Sequence, residues 1–112
     1  FPDWWTLEPI TDSEYWQRVN KTVAQHDPHL QGIIVGGREM SQQKLRAVFE
    51  GAARQPLVRG FAVGRSIFEK PAERWFAGKW NDDDAVITMT SAYRSLIDAW
   101  GAACQQAGRL AG

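Results

Sequence analysis

The sequence has one cysteine, Cys104, and therefore cannot form a disulfide within the chain. That excludes the stapled scaffolds of oxidising compartments and fits a reducing one. It also has no excess of either charge. Lys plus Arg and Asp plus Glu are both 13, for a formal net charge of zero. The electrostatic reason to expect nucleic acid or an anionic membrane surface as partner is missing. No apolar run approaches the length that spans a bilayer, and no stretch reads as a signal peptide. Low-complexity segments and close internal repeats are lacking too. The expectation is a soluble, cytoplasmic protein with no nucleic-acid partner and no membrane partner.

What is present is apolar and aromatic. Of the 112 residues 44% are hydrophobic, with six Trp and five Phe, enough for a real core and against disorder. The chain reads as strand, helix, strand, helix, strand, then two helices. Trp4 to Glu8 alternates as a strand and is closed by Pro9. "TDSEYWQRVNKTVAQ" starts a helix, with Thr11 and Glu14 in capping-box spacing and Tyr15, Val19 and Val23 along one stripe. "HDPH" stops it, because Asp27 precedes a proline. "QGIIVGG" is a continuous apolar run between glycines, as in a strand buried on both faces. Ser41 is placed to cap the next helix, with Leu45, Val48, Phe49 and Ala52 as its apolar stripe.

"PLVRGFAVGRSIF" is a third β-like run. "KPAERWFAG" reads as a short helix with Pro71 near its start and Gly78 past its end. A long helix then runs from Asp82 to about Gly108, with Val86, Met89, Tyr93, Leu96, Ile97 and Trp100 predicted along its packed side. This alternation predicts an α/β fold with a parallel sheet. Three strands leave two sheet edges to be covered, and a full barrel of eight βα units takes about 250 residues. The expected architecture is the last three βα units of a TIM (β/α)8 barrel. Residues 1–112 would then be the carboxyl-terminal portion of that domain, with self-association as another way to cover the edges.

In parallel α/β folds, sites form beyond the carboxyl ends of the strands. Those ends are "TLEP", "VGGRE" and "VGRSIF". Alternation puts Trp4, Thr6 and Glu8 on one face of the first strand, with Trp5 and Leu7 on the other. Glu8 can then act as general acid or base, or instead pair with an arginine as part of the structure. Gly64, Arg65 and Ser66 offer close backbone approach, a cation and a hydroxyl, groups that suit a phosphate. Gly36 and Gly37 would expose backbone amides as the other half of that cradle, or merely make tight turns. His26 and His29 fall at the opposite end of the sheet and read as surface-loop residues rather than metal ligands. Asp82, Asp83 and Asp84 read as a favourable negative start to the last helix.

"PDWWTLEP", "GIIVGG" and above all "VRGFAVGRSIFEKPAERWFAG" resemble the closing part of an aldolase-like TIM-barrel domain of the DUF2090 type. That domain is known as the carboxyl-terminal half of bifunctional myo-inositol catabolism proteins, fused to a 5-dehydro-2-deoxygluconokinase. The chain is also distantly similar to the class I tagatose-bisphosphate aldolases. Trp5-Thr6-Leu7-Glu8 stands where those enzymes have Leu-Lys-Val-Glu. The turn from Val63 to Phe68 stands where they have Cys-Gly-Arg-Ala-Thr-Trp. The resemblance implies cleavage of 2-deoxy-5-keto-gluconate 6-phosphate to dihydroxyacetone phosphate and malonate semialdehyde, with no cofactor. It places the substrate phosphate on Gly36, Gly37, Gly64, Arg65 and Ser66, and Glu8 beside the reacting carbonyl. Thr6 stands where the class I enzymes carry the Schiff-base lysine. Threonine cannot supply the iminium electron sink that aldol cleavage needs. A second reading follows from that departure: a non-catalytic phosphosugar-binding or regulatory module associated with the kinase.

Overall fold

A computed structural model describes residues 3–37 and 40–108. The elements are β1 (Trp4–Leu7), α1 (Ser13–His26), β2 (Gly32–Gly36), α2 (Gln42–Ala52), β3 (Val58–Ala62), α3 (Arg65–Phe76) and α4 (Asp82–Gln106). The strands form a mixed α/β architecture's parallel sheet in the order β1-β2-β3. Sequential order without reversal sends both crossovers over the same side. Trp16 and Val23 of α1 and Val48 and Ala52 of α2 accordingly share one core with Ile33, Val35 and Val58 of the sheet. Trp5 and Leu7 pack against that core from β1. A second core sits further out, where Leu96, Ala103 and Cys104 of α4 meet Leu45 and Phe49 of α2.

The helix starts follow local chemistry, with corrections. The cap of α1 is Asp12 rather than Thr11: its Oδ1 accepts the Glu14 amide at 2.9 Å. Ser41 caps α2 as expected, and all four residues of the predicted stripe are buried. The largest difference concerns α3. It begins at Arg65, directly after β3, so Arg65 to Phe68 form its first turn instead of extending the strand. Pro71 lies mid-helix, buried, and leaves the Ile67 carbonyl without its helical donor. The apolar pair Ile67-Phe68 looked β-like, but Ile67 is held in helical conformation by packing on the second core. Gly78 ends the segment at φ +73°, the left-handed conformation that favours glycine.

Helix α4 is capped by Asn81, whose side chain accepts the Asp84 amide at 2.8 Å, with the three aspartates in its first turn. Its packed face is the predicted one only in part. Leu96 is buried and Trp100 packs against both cores, but Val86, Tyr93 and Ile97 are exposed, and Ala85, Ala103 and Cys104 are buried instead. Helix α4 lies against both α2 and α3. No helix among the described residues is long and apolar enough to cross a membrane.

Candidate functional site

The register aligns the carboxyl ends of the strands. Leu7 pairs with Val35, and Gly36 with Ala62, so Glu8, Gly37 and Val63-Gly64 leave the sheet along one edge. At a strand spacing of about 4.8 Å, the β1 and β3 exits lie roughly 10 Å apart with β2 between them. Helices α1 and α2 pack on one side of the sheet, and the other side carries Trp4, Thr6, Ile34, Gly36 and Gly60. Thr6, Ile34 and Gly60 form one cross-sheet row. Near the row's β1 end a Cβ on Gly36 would come 3.7 Å from the Thr6 methyl. At its β3 end a Cβ on Gly60 would meet nothing within 4 Å, leaving open space beside Ile34 on the side away from Thr6.

The β2 and β3 exits are braced together. The Gly37 amide donates to the Ala62 carbonyl at 2.8 Å, and the Ser66 hydroxyl donates to the Met40 carbonyl at 2.9 Å. Both groups had been expected to face a ligand phosphate. The Gly37 amide is instead a rung between the two strand ends, and the Ser66 proton ties α3 to the loop after β2. Gly37 also has a steric role, since a Cβ there would sit 2.5 Å from the Val63 Cγ1. The α3 amino end, at Gly64, Arg65 and Ser66, opens beside this brace. Helix α3 has no side-chain cap, and its amino end, the positive end of its dipole, follows directly on the β3 exit. Arg65 is exposed there. Arg38 and Glu39 of "VGGRE" lie outside the described residues.

Glu8 follows the last residue of β1 and is exposed, as is Thr6. Because the strand ends at Leu7, alternation does not extend to Glu8. Its charge reaches Tyr15 on α1. The Tyr15 phenol is raised above its ordinary value chiefly by burial, and further by the Glu8 carboxylate. By spacing Tyr15 belongs to the apolar stripe of α1, so no local pattern marks it as a neighbour of Glu8. The four lysines, Lys21, Lys44, Lys70 and Lys79, are all exposed, three on helices and one in the turn after α3. None comes from the strand ends.

His26 and His29 are exposed at the amino end of β2, opposite this surface. Between them Asp27 is buried, with one carboxylate oxygen lacking a hydrogen-bond partner. No group of three or more metal-ligating side chains occurs among the described residues. A polar groove of about 620 Å³ between α2 and α4 was not foreseen. Arg46 there donates to Ser95, 49 residues away, and Arg94 and Asp98 flank them. No local pattern announces such a pairing, because its members belong to the solvent faces of two separate helices.

No curated protein and no solved structure matches this chain. The profile of a family described as an uncharacterized protein conserved in bacteria (DUF2090) matches residues 1–104. With nearly the whole chain covered, the protein belongs to the DUF2090 family.

Proposed function

We propose that the chain is the carboxyl-terminal portion of an aldolase-type barrel domain whose strand-end surface binds a phosphorylated keto sugar acid. The reaction would be the cleavage of 2-deoxy-5-keto-gluconate 6-phosphate to dihydroxyacetone phosphate and malonate semialdehyde. The observation that supports this reading best is the joint exit of β2 and β3 against the uncapped start of α3. It brings Gly36, Gly37, Gly64, Arg65 and Ser66 to one corner, with Thr6 and Glu8 on the same edge of the sheet. Arg65 and the helix dipole would hold the phosphate, while Gly37 and Ser66 keep the corner rigid. The barrel reading draws support from singly wound strands with both crossover helices, α1 and α2, on one face. Parallel sheets are ordinarily covered on both faces, and a closed barrel covers the second with its own interior.

In this reading Glu8 stands near the reacting carbonyl as acid or base. The electron pair released by carbon–carbon cleavage needs a sink, normally an iminium on lysine or a metal-polarised oxygen. Thr6 cannot form an iminium, and the described lysines lie away from the site. The sink in an active enzyme would come from outside these residues, such as other units of the barrel. That same observation favours a second reading, in which a phosphosugar-binding or regulatory module works with the kinase without cleaving its ligand.

The deciding experiment is to incubate the protein with dihydroxyacetone phosphate and borohydride, then map adducts by mass spectrometry. An adduct on a lysine would establish iminium chemistry. Saturable phosphosugar binding without an adduct would favour the binding module. In either case Arg65→Ala is expected to weaken phosphosugar binding about tenfold or more; unchanged binding would remove the phosphate cradle from the proposal.

A further inference from the structure

Large apolar side chains remain exposed along one flank of α3 and α4. Phe76 is 80% exposed and Trp75 45%; on α4, Val86, Ile87, Tyr93 and Ile97 are 42% to 64% exposed. Val86, Tyr93 and Ile97 are spaced by seven and four residues, so with Thr90 they form a stripe beside the buried line of Ala85, Leu96 and Ala103. At one end of the stripe, Trp75, Phe76 and Val86 line an apolar groove of about 470 Å³. At the other, Tyr93 packs edge-on against Phe61, with 6.4 Å between ring centroids. Ile87 lies about 100° round the helix from Val86 and off this face; weighting the full side-chain areas of the other five by these exposures gives roughly 500–600 Å² of apolar surface. That is at the upper end of the patch a monomer ordinarily leaves open and about two thirds of the ~800 Å² per partner of a stable interface.

We propose that this face docks a second copy of the chain, with the two α4 helices antiparallel about a two-fold axis near Thr90. Spacings of seven and four are those of a helix-pair seam, in which each stripe residue packs between residues of the facing helix. Net charge is zero, so two copies do not repel as wholes. The antiparallel arrangement carries Asp82, Asp83 and Asp84 of one copy to within about one turn of the partner copy's equivalents of both Arg94 and Asp98, so charge neither drives nor forbids the contact. Within the chain, Arg94 makes no ion pair among the described residues. A two-fold contact buries each patch against itself and stops at two copies, whereas pairing of the open strand edges would propagate. The flank borders the strand-end corner at its Tyr93 end, where Thr90 and Tyr93 share a groove with Phe61, Ala62 and Val63; association is read without any sugar ligand, so it is tested separately from the sugar reading.

Sedimentation equilibrium of the whole chain is expected to give twice its 12.6 kDa mass. Phe76→Glu and Tyr93→Glu change exposed positions, so each is expected to keep the helical circular dichroism while weakening association about tenfold or more. Thr90→Cys, close to the axis, is expected to form a covalent dimer with diamide as oxidant, and Gln43→Cys on the outer side of α2 is not. The proposal is overturned by a monomer at about 100 µM. It is equally overturned by a dimer that ignores both glutamates and does not cross-link through Thr90→Cys, which would point to the strand edges.

Discussion

At the scale of single residues, two groups have consequences that reach beyond their own contacts. The Tyr15 phenol titrates above the ordinary 10.0 because burial disfavours the phenolate, and the Glu8 carboxylate adds to this. A proton held more tightly in the folded than the unfolded state gives stability that is complete below about pH 10. That stability is lost as pH rises through the raised value. Tyr15→Phe is therefore expected to flatten alkaline unfolding measured by urea titration between about pH 9 and 12. Glu8→Gln is expected to lower the Tyr15 titration only in part, read by absorbance near 295 nm, because burial is the larger cause. A titration unaffected by Glu8→Gln would separate the two groups.

Glycine positions provide the second residue-scale test. A Cβ at Gly37 would meet the Val63 Cγ1 at 2.5 Å, in a buried corner where neither β2 nor β3 can move aside. Gly37→Ala is expected to cost about 1–3 kcal/mol in urea unfolding. Gly60→Ala meets nothing within 4 Å and is expected to be neutral or stabilising by up to about 1 kcal/mol. If both behave alike, the strand-end corner is less tightly packed than these contacts require.

At the scale of elements, the helices divide by what determines their ends. Asp12, Ser41 and Asn81 each accept a first-turn amide, so the starts of α1, α2 and α4 are set by chemistry within three residues. Asp12→Ala is expected to destabilise by about 1 kcal/mol, measured by thermal or urea unfolding, and Thr11→Ala by much less. Helix α3 has no such cap, and its start follows from the end of β3 and the placement of Ile67. The face of α4 is legible only in part for a related reason. Leu96 and Trp100 of its expected stripe pack into the core, while Val86, Tyr93 and Ile97 of the same stripe are exposed. Periodicity sets which residues share a side of α4, and the placement of α2 and α3 against it decides how far that side is covered.

At the scale of the whole molecule, the asymmetry of the sheet governs what the strand-end surface can do. One face is closed by helices, and the other presents Trp4, Thr6, Ile34 and Gly60. Over β2, a Cβ on Gly32 would collide with the Trp4 ring and the Arg59 stem, so these two side chains meet above the glycine. In the aldolase reading, Thr6 occupies the point from which a lysine would reach a bound carbonyl. Thr6→Lys, at an exposed position, is therefore expected to gain a borohydride-trapped adduct with dihydroxyacetone phosphate. Absence of any adduct, with the variant folded, would count against the alignment of Thr6 with the catalytic lysine position.

What the sequence determined by itself is the set of elements and their polarity. "GIIVGG" is too short for a helix and too apolar for a loop, and Leu45, Val48, Phe49 and Ala52 recur at helical spacing, so β2 and α2 follow from local pattern. The surface position of both histidines was legible in the same way. The family was legible too, from "VRGFAVGRSIFEKPAERWFAG". What only the tertiary structure decided is which groups meet. Ser66 reaches the Met40 carbonyl, Arg46 reaches Ser95, and the Gly37 amide closes on Ala62. Each of these pairings joins residues at least 25 apart, so its geometry depends on how β2, β3, α2 and α4 pack. A one-dimensional period records which side of its own element a residue occupies; it carries no information about what the neighbouring element brings to that side.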